Sequence, residues 1–108
     1  AEANAAGPCK VVLENMSRSI PKAMDERFQA ALEQAAERHA PGLHQRMPSG
    51  AGHDAQILAA VMPAAMLFVP SIGGRSHDVS EDTAETDIRR GAEVYAAATM
   101  DILATGIP

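Results

Sequence analysis

Mostly apolar residues recur at helical spacing in two stretches of the chain. The first stretch lies between Asp25 and the breakers Pro41 and Gly42, and its recurring positions are Phe28, Leu32, Ala35, Ala36 and His39. Asp25 is a suitable N-cap, so this stretch predicts an amphipathic helix. The second stretch begins near Thr83, and its recurring positions are Ile88, Ala92, Tyr95, Thr99 and Ile102. It predicts a long helix that ends at Gly106 and Pro108.

Two apolar runs without helical spacing, at residues 11–13 and 64–69, predict short strands, and residues 43–47 are compatible with a short strand that leads into the first glycine turn. The run 64–69 has no polar alternation, which is typical of a strand covered on both faces. Residues 55–61 predict a short helix that is apolar on most sides, and we expect such a helix to be buried. Residues 1–8, in contrast, have the composition of a loop.

This order of strands and helices predicts an α/β fold. We expect a fragment of a three-layer sandwich, with a short mixed sheet and helices on its faces. Ligand sites in such sheets lie in loops beyond the strand ends, where glycine lets the backbone approach closely. Two glycine-rich turns occupy such positions, one leading to His53 and the other to His77. We therefore expect both imidazoles at one edge of the sheet, facing a shared cleft.

Composition and charge bear on the stability of the chain, on its partners and on its location. The 108 residues are 46% hydrophobic but contain no Trp, one Tyr and two Phe, so we expect a core of small residues and marginal stability. The net charge of −5 and the lack of a basic stripe argue against a nucleic-acid partner. No apolar run approaches the ~20 residues that cross a bilayer. Cys9 is the only cysteine, which fits a reducing, cytoplasmic location.

His77 is the candidate metal ligand. It lies in a polar loop after the apolar run 64–69, and a neutral imidazole at a strand end is a common ligand for zinc-like metals. Glu81, farther along the loop, can accept the other ring N–H and orient the imidazole. The alternative is that His77 is a surface histidine of a flexible loop, since one histidine does not make a metal site.

His53 is the candidate catalytic residue. Gly50 and Gly52 flank it, so the backbone can turn tightly and direct the side chain into a cleft. There the ring can donate a hydrogen bond to a substrate carbonyl or to the oxyanion that develops from it. We predict that Gly52, His53 and Gly74 contact the substrate. The alternative is that the glycines only fit a tight strand-to-helix connection, with His53 packed beside it.

Several motifs together resemble the di-metal amidohydrolases that include N-carbamoyl-L-amino-acid hydrolase, allantoate amidohydrolase and β-alanine synthase. The resemblance runs from about residue 25 to residue 103, and its strongest points are Ser-Gly-Ala-Gly-His-Asp-Ala at 49–55, Met-Leu-Phe-Val-Pro-Ser at 66–71, Ser76-His77 with Glu81, and Gly91-Ala92. It implies that His77 is the last metal-binding histidine and that His53 contacts and polarises the scissile amide. Arg75 and the pair Asp78-Val79 depart from the family's usual aliphatic residue and Asn-Pro, which can alter the pocket.

The resemblance also implies parts that do not occur in this sequence. Members of the family bind two divalent metal ions, zinc or manganese, mostly through an N-terminal catalytic segment that also supplies a glutamate base. An inserted lid domain supplies a substrate-binding arginine and the dimer contact. We therefore expect residues 1–21 to be a loop and strand at the junction with a missing lid domain. Residues 22–108 are then the C-terminal part of a catalytic domain.

The expected function of the whole enzyme is cleavage of the carbamoyl C–N bond of N-carbamoyl amino acids or related ureido acids. We expect the isolated chain to hold no metal and to be inactive, because hydrolytic zinc needs about three protein ligands and the chain offers one. Its expected partners are the missing N-terminal segment, a small-molecule substrate and further copies in a homo-oligomer. The alternative is a non-catalytic, truncated domain that acts as an interaction module.

Overall fold

Helices are the regular elements of this chain. The structure is a computed structural model that describes residues 2–106. In chain order the helices are α1 (Glu2–Ala6), α2 (Glu26–His39), α3 (Asp54–Leu58) and α4 (Glu85–Thr105), with a 3-10 turn at Ile72–Gly74. Helix α1 replaces most of the loop predicted for residues 1–8, of which residue 1 lies outside the described chain. No described helix combines the length and apolar character that crossing a bilayer requires.

The expected sheet does not form, so the prediction of a mixed-sheet sandwich is wrong. Between residues 2 and 106 no segment is a β-strand. A strand exists only where its N–H and C=O groups pair with a neighbouring strand, and the runs 11–13, 43–47 and 64–69 have no such ladder. The run 64–69 is instead tied to the start of α2 by a bond from the Asp25 amide to the Ala64 carbonyl, at 2.9 Å. An apolar run indicates burial, but it cannot supply its own partner strand.

Helix α2 begins and ends as the sequence predicts. The Asp25 carboxylate accepts hydrogen bonds from the amides of Arg27, at 2.9 Å, and Phe28, at 3.2 Å. These bonds satisfy amides that have no partner inside the helix. The Arg27 guanidinium lies 2.9 Å from the same carboxylate and holds the pKa of Asp25 below its usual range. The last helical residue is His39, shortly before Pro41.

The core is the contact between α2 and α4, and small residues build it, as predicted. Its buried members are Ala35, Ala36, Ala40, Val94 and Ala98. Small side chains let two helices approach closely, but each removes little apolar area from water. An ion pair between Arg38 and Asp101, at 2.7 Å, also joins the helices. Because both partners are about half exposed, such a pair contributes at most about 1 kcal/mol.

The packed face of α4 differs from the recurring positions of its sequence, and the burial expected of α3 is wrong. The buried residues of α4 are Val94 and Ala98, whereas Ile88 and Tyr95, two of the recurring positions, are 54% and 64% exposed. Helix α3 is shorter than the predicted 55–61 helix and contains no buried residue. Both segments have apolar residues on several faces, so helical periodicity located the helices without selecting the face that packs.

The chain buries little surface for its length. Its accessible surface is 8725 Å², whereas a compact monomer of this mass exposes roughly 5,700 Å². Its radius of gyration is 19.3 Å, against about 13 Å for a compact domain of this length. Within residues 2–106 no large side chain is fully buried. Much of the apolar surface therefore faces water in the isolated chain.

Gly91 lets α4 lie directly against the run 64–69. A Cβ atom at position 91 would overlap Cγ1 of Val69, so the helix backbone and the Val69 side chain occupy adjoining space. This close approach connects the run to the α2–α4 core.

We expect Gly91→Ala to destabilise the chain by about 1–3 kcal/mol, because the added methyl group overpacks against Val69. The higher helix propensity of alanine, worth about 1 kcal/mol, opposes this effect. Urea unfolding followed by far-UV circular dichroism measures the difference. Gly50→Ala is the control, since nothing lies within 4 Å of a Cβ there. The double variant Gly91→Ala/Val69→Ala should recover stability, and a fully stable Gly91→Ala chain would contradict the close approach.

We also expect acid to unwind α2 from its first turn. The folded-state pKa of Asp25 is lowered, so its contribution to stability is complete above the unfolded pKa and is lost as the pH falls through the folded value. Asp25→Asn keeps an acceptor oxygen without the titrating charge and should show a weaker acid transition. Asp25→Ala should lose helix at every pH. Helix content measured by circular dichroism from neutral to acid pH compares the three chains, and identical acid transitions would contradict the role of Asp25.

Candidate functional site

His53 occupies the N-cap position of α3, at the point where the chain leaves the first glycine turn. Its ring is partly buried and packs against Phe68, with ring centroids 5.4 Å apart and planes tilted by 59°. Phe68 belongs to the apolar run 64–69. The predicted catalytic histidine is therefore positioned by contact with the run that also packs on α4.

Ser49 orients the His53 ring. Its Oγ lies 2.8 Å from Nε2 of His53 and also accepts a hydrogen bond from the Ala51 amide, at 3.3 Å. A hydroxyl that already accepts from an amide can donate its own hydrogen to Nε2. In that tautomer Nδ1 carries the ring proton, and no group among residues 2–106 accepts a hydrogen bond from it. The arrangement leaves an N–H donor available to a ligand.

His53 and Gly52 line an open cleft of about 540 Å³ between the first glycine turn, α3 and residues 18–22. The Gln56 side-chain amide crosses this cleft and donates to Ser19 Oγ, at 2.9 Å, and to the Ile20 carbonyl, at 2.6 Å. Arg18 and Lys22 bring two positive charges to the same wall. The sequence contained no signal for this, because residues 18–22 are distant in sequence from the glycine turn and have no motif of their own.

His77 lies in the second glycine turn with a left-handed backbone, at φ 56°, and its side chain is exposed. Such a φ is uncommon for a residue other than glycine, so the surrounding loop must hold it. The 3-10 turn before it contains Gly73 and Gly74, whose φ angles of 69° and 67° favour glycine. An amide-to-carbonyl bond from Ile72 to Asp82, at 2.8 Å, closes the base of the loop.

Arg75 and Asp78, the departures from the family pattern, brace the turn on either side of His77. The Arg75 guanidinium donates to Ser80 Oγ, at 2.9 Å. The amide and hydroxyl of Ser80 both donate to Asp78 Oδ1, the amide at 2.8 Å. The Ser80 hydroxyl, and then its amide, hold the pKa of Asp78 below its usual range. One connected set of hydrogen bonds thus joins the residues before and after His77 in the sequence, while the His77 side chain stays exposed.

The structure does not bring the predicted site residues into direct contact. In the described chain no hydrogen bond or ion pair joins His77 to His53 or to Glu81, and His77 is not part of the cleft wall at His53. Gly52 lies in that cleft, whereas Gly74 lies in the His77 turn. Because residues 2–106 form no sheet, the expected shared sheet edge is absent, and a shared cleft for the two imidazoles stays a prediction.

The described residues do not complete a metal centre. Between residues 2 and 106 no three side chains of His, Cys, Asp or Glu are grouped so as to hold an ion. A zinc site takes about three or four protein ligands. His77 is an exposed imidazole that can offer one ligand, so this chain by itself does not fit the two-metal centre that the resemblance implies.

Comparison with known proteins agrees with the resemblance. Residues 2–101 match the peptidase family M20/M25/M40. The allantoate amidohydrolase of Escherichia coli (strain K12) is 42% identical over 76 residues, covering 70% of this chain and 18% of that protein. The allantoate amidohydrolase of Bacillus subtilis (strain 168) is 40% identical over 94 residues, covering 87% and 22%. The N-carbamoyl-L-amino-acid amidohydrolase of Paenarthrobacter aurescens is 49% identical over 51 residues, covering 47% and 12%.

A solved structure shows the same relationship. The crystal structure of an amidase of the hydantoinase/carbamoylase family from Burkholderia phymatum superposes with a TM-score of 0.68 at 50% identity, covering 76% of this chain and 19% of that one. The chain spans about a fifth of the length of the allantoate amidohydrolases and of this amidase. Since the family match extends over residues 2–101, and proteins named as amidohydrolases are among those similar to it, the chain belongs to the peptidase family M20/M25/M40.

Proposed function

We propose that this chain is the C-terminal part of the catalytic domain of an amidohydrolase that cleaves the carbamoyl C–N bond of N-carbamoyl amino acids or related ureido acids. The family match over residues 2–101, with relatives named for allantoate and N-carbamoyl-L-amino-acid hydrolysis, carries the proposal. Water adds to the carbamoyl carbon and both C–N bonds of the ureido group are broken. An N-carbamoyl amino acid then yields ammonia, carbon dioxide and the free amino acid.

In this proposal His53 polarises the substrate carbonyl. With Nε2 engaged by Ser49, Nδ1 donates a hydrogen bond to the carbonyl oxygen, and the bond strengthens as negative charge develops there. Packing against Phe68 limits the ring's rotation, so the donor is positioned before the substrate arrives. Gly52 leaves open space beside the ring, since nothing lies within 4 Å of a Cβ at that position. Nothing lies within 4 Å of a Cβ at Gly74 either, so the substrate can also approach the backbone of Gly74.

Amidohydrolases of this family are generally metal-dependent. We assign His77 as one ligand of a zinc or manganese pair and Glu81 as the carboxylate that orients it. The remaining ligands and the general base then belong to residues outside this chain. The left-handed backbone of His77 supports a special role, because such conformations outside glycine cluster at functional sites. On this assignment the isolated chain is inactive.

The exposed apolar surface supports the inference that another polypeptide segment packs against this chain. Val12, Leu13 and Met16 are 82–90% exposed, and surfaces of this kind mark interaction sites. We propose that the rest of the catalytic domain covers them, in a homo-oligomeric, cytoplasmic enzyme. A non-catalytic interaction module could use the same surface, but it would leave the braced His53 and His77 turns without a role.

A chimera tests the function. Residues 2–101 replace the matching segment of the Bacillus subtilis allantoate amidohydrolase, and ammonia release from allantoate and from N-carbamoyl amino acids is measured with zinc or manganese. We expect the chimera to turn over a ureido substrate and the isolated chain to release no ammonia. In the chimera, His53→Gln should lower kcat by about 100-fold through loss of the carbonyl donor. His77→Ala should lower the bound metal content.

His39→Gln is the matched control, because His39 is an exposed histidine without an assigned role, and it should change neither kcat nor metal content. A folded but inactive chimera would favour the interaction module. Ammonia release by the isolated chain that disappears in His77→Ala would show that no outside segment is needed.

The tautomer of His53 provides a test that does not depend on turnover. Nitrogen chemical shifts of the imidazoles report which ring nitrogen carries the proton. We expect protonated Nδ1 at His53 in the parent chain and in Ser49→Thr, which keeps the hydroxyl. Ser49→Ala should shift the ring toward Nε2–H, while His44 serves as an internal control. Protonated Nε2 at His53 in the parent chain would contradict the donor role.

A further inference from the structure

The side-chain amide of Gln56 is held in one orientation at the cleft that contains His53. Its Nε2 donates to Ser19 Oγ, at 2.9 Å, and to the Ile20 carbonyl, at 2.6 Å. A carbonyl oxygen only accepts hydrogen bonds, so the amide atom that faces Ile20 is the nitrogen. Both hydrogens of Nε2 are therefore engaged, and they fix the direction of the amide oxygen, Oε1.

Oε1 of Gln56 is an acceptor without a donor. No group among residues 2–106 donates a hydrogen bond to it, and the Gln56 side chain is only partly buried. In the same part of the chain no buried side-chain oxygen or nitrogen lacks a hydrogen-bond partner. Oε1 is therefore accessible to solvent. Because Gln56 lines the cleft, we infer that a molecule bound there reaches this oxygen.

His53 and Gln56 are neighbours at the first turn of α3. The Gln56 backbone amide donates to the His53 carbonyl, at 3.0 Å, which closes this turn. Side chains three residues apart in a helix lie side by side, with Cβ atoms about 5–6 Å apart. Nδ1 of His53 is the donor that the bond to Ser49 leaves available. The cleft, of about 540 Å³, thus has a hydrogen-bond donor and a hydrogen-bond acceptor on one wall.

A ureido group is complementary to this pair, because its carbonyl oxygen accepts hydrogen bonds and the NH₂ group on the same carbon donates them. We propose that Gln56 Oε1 accepts a hydrogen bond from the terminal NH₂ of the substrate's carbamoyl group while His53 donates to the carbonyl oxygen. The inference rests on the proposed function, because it takes His53 as the residue that contacts the scissile group. An N-acetyl group has a methyl group at that position and leaves Oε1 unpaired. Gln56 is then the residue that selects a carbamoyl group over an acyl group.

Binding to the complete 108-residue chain tests this assignment. The probes N-carbamoylglycine and N-acetylglycine differ only in a terminal NH₂ or CH₃ group, and each is titrated while the ring resonances of His53 are followed by NMR. We expect the parent chain to bind the carbamoyl acid about five-fold more tightly than the acetyl acid, the scale of one net hydrogen bond. Gln56→Leu should bring this ratio to about one.

The ratio separates recognition by Oε1 from the clamp that Nε2 forms with residues 19 and 20. Gln56→Glu keeps an acceptor oxygen but loses both donors of the clamp, so it should still prefer the carbamoyl acid. If Gln56 served only as a clamp, Gln56→Leu would weaken both probes alike and leave their ratio unchanged. Gln34→Leu is the matched control, because Gln34 is an exposed glutamine of α2 that does not line the cleft, and it should keep the ratio of the parent chain.

The inference is overturned if the parent chain binds neither probe, if it binds both equally, or if Gln56→Leu keeps the preference for the carbamoyl acid. Circular dichroism checks that each variant keeps its helices. In the chimera, Gln56→Leu should lower kcat/KM for N-carbamoyl amino acids by about five-fold. An active chimera that Gln56→Leu leaves unchanged would overturn the role of Gln56 and leave the proposed function intact. An inactive chimera, beside a carbamoyl preference of the isolated chain that Gln56→Leu abolishes, would support the Gln56 contact and overturn the proposed function.

Discussion

The packing of α2 on α4 is the contact on which the position of the candidate catalytic histidine depends. Alanines on both helices and Val94 form the contact, and Gly91 extends it by admitting Val69 against the α4 backbone. Val69 adjoins Phe68, whose ring holds His53. A continuous path of packed groups thus leads from a small alanine core to the candidate catalytic imidazole, and a change at Gly91 reaches the site through the run 64–69.

The same core explains why much of the apolar surface of this chain is exposed. Alanine permits close helix contact but contributes little apolar burial per residue, while larger side chains such as Leu13 and Val61 remain mostly exposed. Segments with the composition of buried strands have no neighbouring strand to pair with among residues 2–106. These are the properties expected of a surface that another polypeptide segment covers, and they agree with the function that we propose.

The two histidine turns differ in how they are supported. Ser49 and Phe68 act on the His53 ring directly, so its orientation is defined within this chain. His77 is fixed through its backbone by a loop that Arg75, Asp78 and Ser80 close, while its side chain stays exposed. A hydrogen-bond donor needs one oriented ring, whereas a metal ion needs several ligands at once. In the function that we propose, this chain therefore orients the donor ring of His53 by itself, whereas His77 is only one of the several ligands that a metal ion needs.

The sequence by itself determined the helix ends, because these depend only on residues a few positions away. The Asp25 cap, the end of α2 before Pro41 and the end of α4 at Gly106 follow from side-chain hydrogen bonds and backbone preferences within a few residues. The motifs at 49–55 and 76–77 likewise identified the family, because they are contiguous. Strand pairing could not be predicted in this way, since it depends on backbone groups of another segment, and the expected sheet is absent from the described chain.

Tertiary structure decided which helix faces are buried and which residues meet at the cleft. The α4 sequence is apolar on several faces, and only contact with α2 selects Val94 and Ala98. The approach of residues 18–22 to His53 depends on Gln56, a residue with no special sequence context. Periodicity and motifs describe what a segment can do alone, whereas these arrangements depend on which of several possible surfaces lie together in space.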